Sequence, residues 1–316
     1  MIHDVRVRKT LTPHVSDLIR KLIQLPILNM PIIESTIDLI PASAFSYEEL
    51  TEAYNHTRVD YIVPMPMNAA RLREYVETYD VDLDASAVAI DGNEILGLSM
   101  LGIREGRAWI TRLGVIRRNR RQGTGWMLVT HLIEQARLKK ARYIIIEVIK
   151  NNLPAHTLFI KQGFKETREL SVLRRPPGTP EIEVPPAEVQ SLGYTEAVSL
   201  LQHRRSKPSW IDEKESLINA GNLSAYHAAL IDGSSGWLVY QNTVFQLGRL
   251  VIQTEAGNPL NVARVLLHHL HSVHPVQDTK TENLPLDDPH WPAFKELGYL
   301  EMFRRTEMGL SLTEEL

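Results

Sequence analysis

The feature that most constrains the fold is a loop with two glycines that joins a strand-like run to a helix-like run. The strand-like run spans residues 109–116, the loop reads Arg-Arg-Gln-Gly-Thr-Gly at 120–125, and the helical pattern covers 126–138. Glycine lets the backbone turn tightly and approach a ligand closely. The first turn of a helix presents unbonded N–H groups and a positive dipole end. Positive charge is added at the same place by Arg117, Arg118, Arg120 and Arg121.

This arrangement predicts a strand–loop–helix unit that binds an anion of the size of a pyrophosphate. The six-residue pattern alone has an alternative interpretation, an ordinary turn whose arginines are solvated. The residues that follow favour the anion site. The run 143–148 is short, apolar and rich in β-branched residues, which is typical of a buried strand. A short helical pattern then runs from Asn152 to Phe159, and Gly163 fits the left-handed position after a helix.

Together these two blocks resemble the GNAT (GCN5-related) N-acetyltransferases. The first block comprises Leu113, Val115, Arg120, Gly123, Gly125 and Leu128. The second block comprises Glu147, Val148, Asn152, Ala155, Leu158, Phe159, Gly163 and Phe164. The order and spacing of the blocks match the family, firmly over residues 85–170 and more loosely back to residue 35.

The resemblance implies an N-acetyltransferase that uses acetyl-CoA as co-substrate. In the family the glycine loop cradles the pyrophosphate of acetyl-CoA, and the strand before it pairs with the pantetheine arm. The acetyl group passes directly to a primary amine in a ternary complex, and we expect a small-molecule or peptide amine here. The coenzyme-binding residues that the resemblance implies are Leu113, Val115, Arg120, Arg121, Gln122, Gly123, Thr124, Gly125, Asn152 and Phe159. An alternative role for Asn152 is that of a plain helix N-cap.

Acetyl transfer to an amine requires a base, because only the neutral amine attacks the thioester. Glu147 is the candidate catalytic residue, since the resemblance places its strand beside the thioester and burial there would raise the pKa of a carboxyl group. The alternative is that Glu147 only bonds neighbouring backbone; Asp60, Tyr61 and Glu105 are weaker candidates. Phe159 departs from the tyrosine that in many relatives protonates the leaving thiolate. This departure motivates a second hypothesis, a coenzyme A-binding regulatory or scaffold protein with little turnover.

The composition narrows the class of protein further. The chain has 316 residues, no cysteine and a formal net charge of −3. The lack of cysteine excludes disulfides, thiolate zinc sites and a cysteine nucleophile, and the slight negative charge argues against a general nucleic-acid binder. No apolar run reaches the ~18–20 residues of a membrane span. We expect no membrane association and a cytoplasmic monomer or homodimer. No metal is expected either, because an acidic ligand at metal-site spacing is lacking beside His268, His269, His271 and His274.

A chain of this length is expected to form two domains. The proline-rich run that starts at Arg174 is predicted to continue neither a helix nor a central strand. We therefore predict an N-terminal arm, a GNAT acetyltransferase domain, a linker and a second domain, at 1–34, 35–175, 176–186 and 187–316. Each domain is expected to be α+β (α/β), with a mixed, mostly antiparallel central sheet flanked by helices. The first domain has the GNAT order: βααββ, then β–loop–α, then β–α–β.

An internal repeat supports two tandem GNAT-like domains. Adding 135 to a residue number relates Glu147 to Glu282, Pro154 to Pro289, Phe159 to Phe294, Gly163 to Gly298 and Phe164 to Tyr299. The alternative is coincidence. At the same offset the four loop arginines are replaced by Ile252, Gln253, Glu255 and Ala256. We therefore expect residues 187–316 to be a degenerate GNAT-like domain with a structural role.

Overall fold

A computed structural model describes residues 37–313 of the chain. The predicted arm at 1–34, with its helix after Thr12 or Ser16, lies outside the described residues. The described part divides into two compact units. The first contains residues 37–76, 81–144 and 311–313, and the second contains residues 77–80 and 145–310.

The first unit is an antiparallel sheet with three helices. Its strands are β1 (Asp38–Pro41), β2 (Val81–Asp91), β3 (Glu94–Arg104) and β4 (Arg107–Val115), and its helices are α1 (Tyr47–Thr57), α2 (Ala69–Thr78) and α3 (Thr124–Leu138). The strands follow one another in the order β1-β2-β3-β4, each antiparallel to its neighbour. This is the predicted βααββ order, followed by the predicted strand, loop and helix.

Local sequence explains why the helices begin and how they attach to the sheet. Ser46 and Glu49 form a capping box at the start of α1, with Ser46 Oγ accepting from Glu49 N at 3.2 Å and Glu49 Oε2 accepting from Ser46 N at 2.9 Å. α3 buries apolar side chains at helical spacing, and its Leu128 packs against Ala87, Ala89 and Leu96 of the sheet. Burial of one side chain of this size contributes roughly 1.5–3 kcal/mol. Helix α3, which starts at the glycine loop, is therefore fixed on the sheet.

The second unit is a larger mixed sheet. Its strands are β5 (Tyr143–Ile149), β6 (Lys165–Arg175), β7 (Ala187–Leu192), β8 (Leu223–Leu230), β9 (Ser235–Asn242), β10 (Gln246–Ala256), β11 (Asp278–Pro285) and β12 (Leu300–Ser311). Its helices are α4 (Leu153–Lys161), α5 (Tyr194–Gln202), α6 (Lys214–Ala220), α7 (Pro259–Val273) and α8 (Trp291–Glu296). The strand order is β5-β12-β6-β11-β10-β9-β8-β7. β10 and β11 are parallel, and the other registered pairs are antiparallel. The predicted fold class, a mostly antiparallel sheet flanked by helices, is confirmed.

Strand β6 lies between β12 and β11, which the sequence did not predict. Leu170 of β6 pairs with Arg305 of β12, and Leu173 pairs with Thr281 of β11. Both edges of β6 are therefore hydrogen-bonded to strands from the end of the chain. This pairing explains why the compact units divide at residue 144 and not at the predicted boundary of 175. The assignment of family domains to 35–175 and 187–316 stays a prediction.

The prediction for the start of the proline-rich run was wrong. Arg174 and Arg175 belong to β6, because the prolines that end the strand begin only at residue 176. Arg175 is buried, and its Nε donates to the carbonyl of Leu297 at 2.6 Å. Residues 176–186 contain no helix or strand.

The offset of 135 residues relates two segments of the second unit in structure as well as in sequence. A glycine with positive φ follows the helix of each segment: Gly163 after α4, with φ of 91°, and Gly298 after α8, with φ of 83°. Two edge-on ring pairs follow the same offset, Phe159 with Phe164 at 5.3 Å and Phe294 with Tyr299 at 4.9 Å between centroids. In both pairs the N–H of the second residue donates to the carbonyl of the first at 3.0 Å. The shared geometry supports the predicted duplication.

Candidate functional site

The glycine loop leaves the start of α3 open. Strand β4 ends at Val115, a short 3-10 turn covers Arg117–Asn119, and Gly123 precedes the first helical residue with φ of 89°. Within the described residues, no side chain caps this helix start. A Cβ atom built on Gly123 would have no atom of residues 37–313 within 4 Å. The first N–H groups of a helix have no partner inside the helix, and those of α3 are not capped by a side chain of residues 37–313.

The charge around this opening is positive. Arg117, Arg118 and Arg121 are exposed, and Arg121 forms no hydrogen bond or ion pair within residues 37–313. Arg118 is paired with Glu94, with 2.5 Å between Nη2 and Oε1. The hydroxyl of Thr124, at the first helical position, is buried and has no partner within the described residues. A diphosphate fits this place, because free amides, the helix dipole and guanidinium groups all favour negative charge there.

Arg120 makes contacts that the sequence did not predict. Its guanidinium forms two hydrogen bonds to the Asp60 carboxylate, at 2.7 and 2.8 Å, and its Nε donates to the Val115 carbonyl at 3.0 Å. The hydrogen bond from Arg120 holds the pKa of Asp60 below its usual value. A carboxylate with a lowered pKa is a poor proton acceptor, so Asp60 is not a good candidate for the base.

Two other weaker candidates for the base are also placed by the structure. Tyr61 lies under the guanidinium of Arg58, with 4.0 Å from Cζ to the ring centroid. Glu105 is exposed beside the turn between β3 and β4. Neither position gives a reason to prefer these residues to Glu147.

Leu113 and Val115 lie at the end of β4, just after an irregularity in the strand. Arg112 has φ of 54°, and the register between β3 and β4 shifts by one residue here, which is a β-bulge. Gly114 pairs with Leu98 of β3. Because successive residues of a strand direct their N–H and C=O groups to opposite edges, Leu113 and Val115 present theirs on the edge away from β3.

Glu147 lies on β5 in the second unit and is half-buried. Its Oε1 accepts a hydrogen bond from Asn283 Nδ2 at 3.4 Å. Asn283 is itself held by Ser209 Oγ at 3.2 Å and by Arg305 Nη1, which donates to its Oδ1 at 2.6 Å. The sequence could not have revealed Asn283, because it is 136 residues from Glu147 and no local pattern relates the two.

The two remaining predicted coenzyme residues, Asn152 and Phe159, belong to the second unit, and both make contacts within the protein. Asn152 is the N-cap of α4, and its Oδ1 accepts from Ala155 N at 3.4 Å, which is the alternative role that the sequence left open. Phe159 is 1% exposed and packs edge-on against Phe164. A contact of Phe159 with the coenzyme stays a prediction, which this burial does not favour.

In the second segment of the repeat, the helix start that corresponds to that of α3 is closed by a side-chain cap. The helix start of α7 is capped by Asn258, whose Oδ1 accepts from Leu260 N at 2.9 Å and Asn261 N at 3.4 Å. A Cβ on Gly257 would lie 2.1 Å from Ser234 Oγ. The amides that would bind a diphosphate are thus already bonded, which agrees with the expected degenerate copy.

His271 of α7 belongs to the protein interior, whereas His268 and His269 are partly exposed. His271 is fully buried and its Nε2 lies 2.9 Å from the Tyr299 hydroxyl. Burial lowers the pKa of His271 to about 3. Within residues 37–313 no group of three or more His, Cys, Asp or Glu side chains has a geometry that could hold a metal ion.

Residues 47–164 match the acetyltransferase (GNAT) family. This segment contains α1, the β4 strand, the glycine loop, Glu147 and α4. This segment is therefore similar to the GNAT acetyltransferases, a family whose members use acetyl-CoA as acyl donor. No curated protein matches the chain in sequence.

Solved structures extend the likeness from this segment to most of the chain. A GCN5-related N-acetyltransferase from Sphaerobacter thermophilus is 14% identical, with a TM-score of 0.66 over 89% of this chain and 97% of the other. A tandem GNAT protein from the clavulanic acid biosynthesis pathway is 14% identical, with a TM-score of 0.59 over 89% and 100%. A protein from Pyrococcus horikoshii, assigned as an acetyltransferase, is 15% identical, with a TM-score of 0.60 over 92% and 94%. At these identities the likeness shows the fold alone.

One further structural finding concerns membranes. Among the helices of residues 37–313, none has both the length and the apolar character needed to cross a bilayer.

Proposed function

We propose that the protein is an N-acetyltransferase that moves the acetyl group of acetyl-CoA directly to a primary amine in a ternary complex. The observation that carries this proposal is the open helix start at Gly123 within the segment that matches the family. Catalysis is assigned to the predicted domain at 35–175. Residues 187–316 take no acetyl-CoA in this proposal, because Asn258 already caps the corresponding helix.

Coenzyme binding rests on groups of the first unit. The amides at the start of α3 and the exposed Arg121 would hold the diphosphate, where the helix dipole and the guanidinium charge add. The outward-facing peptide groups of Leu113 and Val115 would bond the amides of the pantetheine arm, in the way that an extended ligand adds to a strand edge. Holding donor and acceptor in line contributes more to acyl transfer than any single side chain.

Glu147 is proposed as the general base. Its carboxylate accepts a hydrogen bond from Asn283, and Ser209 and Arg305 hold that asparagine in turn. A carboxylate whose orientation is fixed can accept the ammonium proton of the acceptor, directly or through one water molecule. The freed amine then attacks the thioester carbon, the carbon–sulfur bond breaks, and the thiolate leaves with a proton from solvent.

A second candidate function is coenzyme A binding without efficient turnover. The observation that favours it is Phe159, a buried phenylalanine that carries no hydroxyl to protonate the thiolate. Both functions require coenzyme A binding, so binding alone does not separate them. Turnover does.

The test is thermal shift with coenzyme A esters, followed by release of free thiol from acetyl-CoA across a panel of small and peptide amines. We expect stabilisation by acetyl-CoA and thiol release with at least one amine. The variant Glu147→Gln keeps the size and the bond from Asn283, and it should lower kcat about 10²–10⁴-fold without loss of coenzyme binding. Tight binding with no thiol release from any amine would favour the regulatory function. Absence of coenzyme binding would refute both.

A further inference from the structure

The two strand carbonyls predicted to bond the pantetheine arm are already bonded to arginine side chains of the protein. Arg58 Nη2 donates to the Leu113 carbonyl at 3.0 Å. Arg120 Nε donates to the Val115 carbonyl at 3.0 Å. Both carbonyls lie on the edge of β4 that faces away from β3, so the guanidinium groups occupy the edge that an extended ligand would need.

Arg120 is held in this position from the other side. Asp60 binds its guanidinium through both carboxylate oxygens, at 2.7 and 2.8 Å, and the Thr57 carbonyl accepts from Nη2 at 3.3 Å. Bidentate pairs of this kind fix the orientation of the guanidinium plane. The hydrogen bond from Arg120 also favours the ionised form of Asp60, because it lowers the pKa of that carboxyl group.

Arg58 is held by aromatic rings. Its Cζ lies 4.0 Å from the centroid of the Tyr61 ring and 5.1 Å from that of Tyr54. Such contacts attract the guanidinium charge to the face of the ring. Arg58 and Arg120 each bond a carbonyl of β4, and Asp60 holds Arg120; we call these three residues the arginine latch.

The latch is anchored where α1 meets β4. A Cβ on Gly114 would lie 2.2 Å from Thr57 Oγ1, so only glycine allows the end of α1 to sit this close to the strand. The segment 58–61 begins one residue after Thr57. Arg58, the first residue of this segment, reaches the neighbouring Leu113 carbonyl of the strand.

We propose that Arg58 and Asp60 are positioning residues that hold the latch on the coenzyme strand, so that the coenzyme binds only by displacing it. This inference rests on the proposed function. The pantetheine amides need the carbonyls of Leu113 and Val115, and the diphosphate competes with Asp60 for Arg120. Displacement releases the segment 58–61 when the coenzyme arrives. Loss of a latch contact therefore tightens coenzyme binding.

The sharpest test removes Arg58, because electrostatics alone predicts the opposite result. Coenzyme A is an anion, so the loss of a nearby cation should weaken its binding. The latch predicts that Arg58→Met tightens binding about two- to ten-fold, since a hydrogen bond contributes roughly 0.5–1.5 kcal/mol. Arg73→Met is the matched control. Arg73 also stacks on a tyrosine, 4.4 Å from the ring of Tyr47, and it belongs to α2 and not to the latch.

The measurement is calorimetric titration of the full-length wild type and both variants with coenzyme A. Tighter binding by Arg58→Met and no tightening by Arg73→Met supports the latch. Unchanged or weaker binding by Arg58→Met overturns it while leaving the proposed function intact, provided that the wild type binds. No binding by the wild type overturns both.

Hydrogen exchange of the wild-type protein gives a second readout that does not depend on how a variant folds. With coenzyme A bound, the amides of 117–125 should exchange more slowly, because the diphosphate covers them. The amides of 58–61 should exchange faster, because the latch is released. Slower exchange in both segments would contradict the displacement.

Discussion

The left-handed backbone at Gly123 makes a quantitative prediction about coenzyme affinity. Gly123 has φ of 89°, and a Cβ placed on it meets nothing within 4 Å in the part of the chain that the structure describes. The variant Gly123→Ala therefore introduces no clash, and its whole effect comes from the backbone. An L-residue in the left-handed region costs about 1–2 kcal/mol.

The free loop can avoid this strain by leaving the left-handed conformation, but a bound diphosphate must restore it. The cost then appears in the dissociation constant. At 1.4 kcal/mol for each tenfold change, the expected loss of affinity for acetyl-CoA is roughly 5- to 30-fold. Calorimetric titration measures it directly.

Gly92 offers a matched control in the same unit. It lies in the turn between β2 and β3 with φ of 59°, and its Cβ would also meet nothing within 4 Å. Gly92→Ala should lower the free energy of unfolding by about 1–2 kcal/mol and leave acetyl-CoA affinity unchanged. The reasoning is refuted if Gly123→Ala binds like the wild type, or if Gly92→Ala loses as much affinity as Gly123→Ala.

Two further predictions concern stability. Burial raises the pKa of Asp212 from 3.8 to about 6, so its contribution to stability is present below pH 3.8 and is lost as the pH rises through about 6. Relative to Asp212→Asn, the wild type should therefore lose roughly 3 kcal/mol between pH 4 and 7 in urea unfolding, and parallel curves would contradict this. A fragment of residues 1–186 lacks both partner strands of β6, β11 and β12, and should show no cooperative thermal transition. A cooperative transition would show that the predicted domain at 35–175 folds alone.

The sequence by itself determined the features that depend on neighbouring residues. The glycine loop, the Ser46–Glu49 capping box and the positive φ of Gly163 follow from backbone preferences that act over a few positions. The fold class followed from the same local patterns, read in order. The offset of 135 residues is likewise visible in the sequence, and it predicted that the second copy would lack an open anion site.

Only the tertiary structure decided which distant groups meet. Asp60 reaches Arg120 across 60 residues, and Asn283 reaches Glu147 across 136. Strand β6 pairs with β11 and β12, although nothing near residue 170 indicates either partner. The physical reason is that a strand edge or a carboxylate can form hydrogen bonds with many different partners. Which partner lies beside it depends on how the whole chain folds to bury its apolar surface.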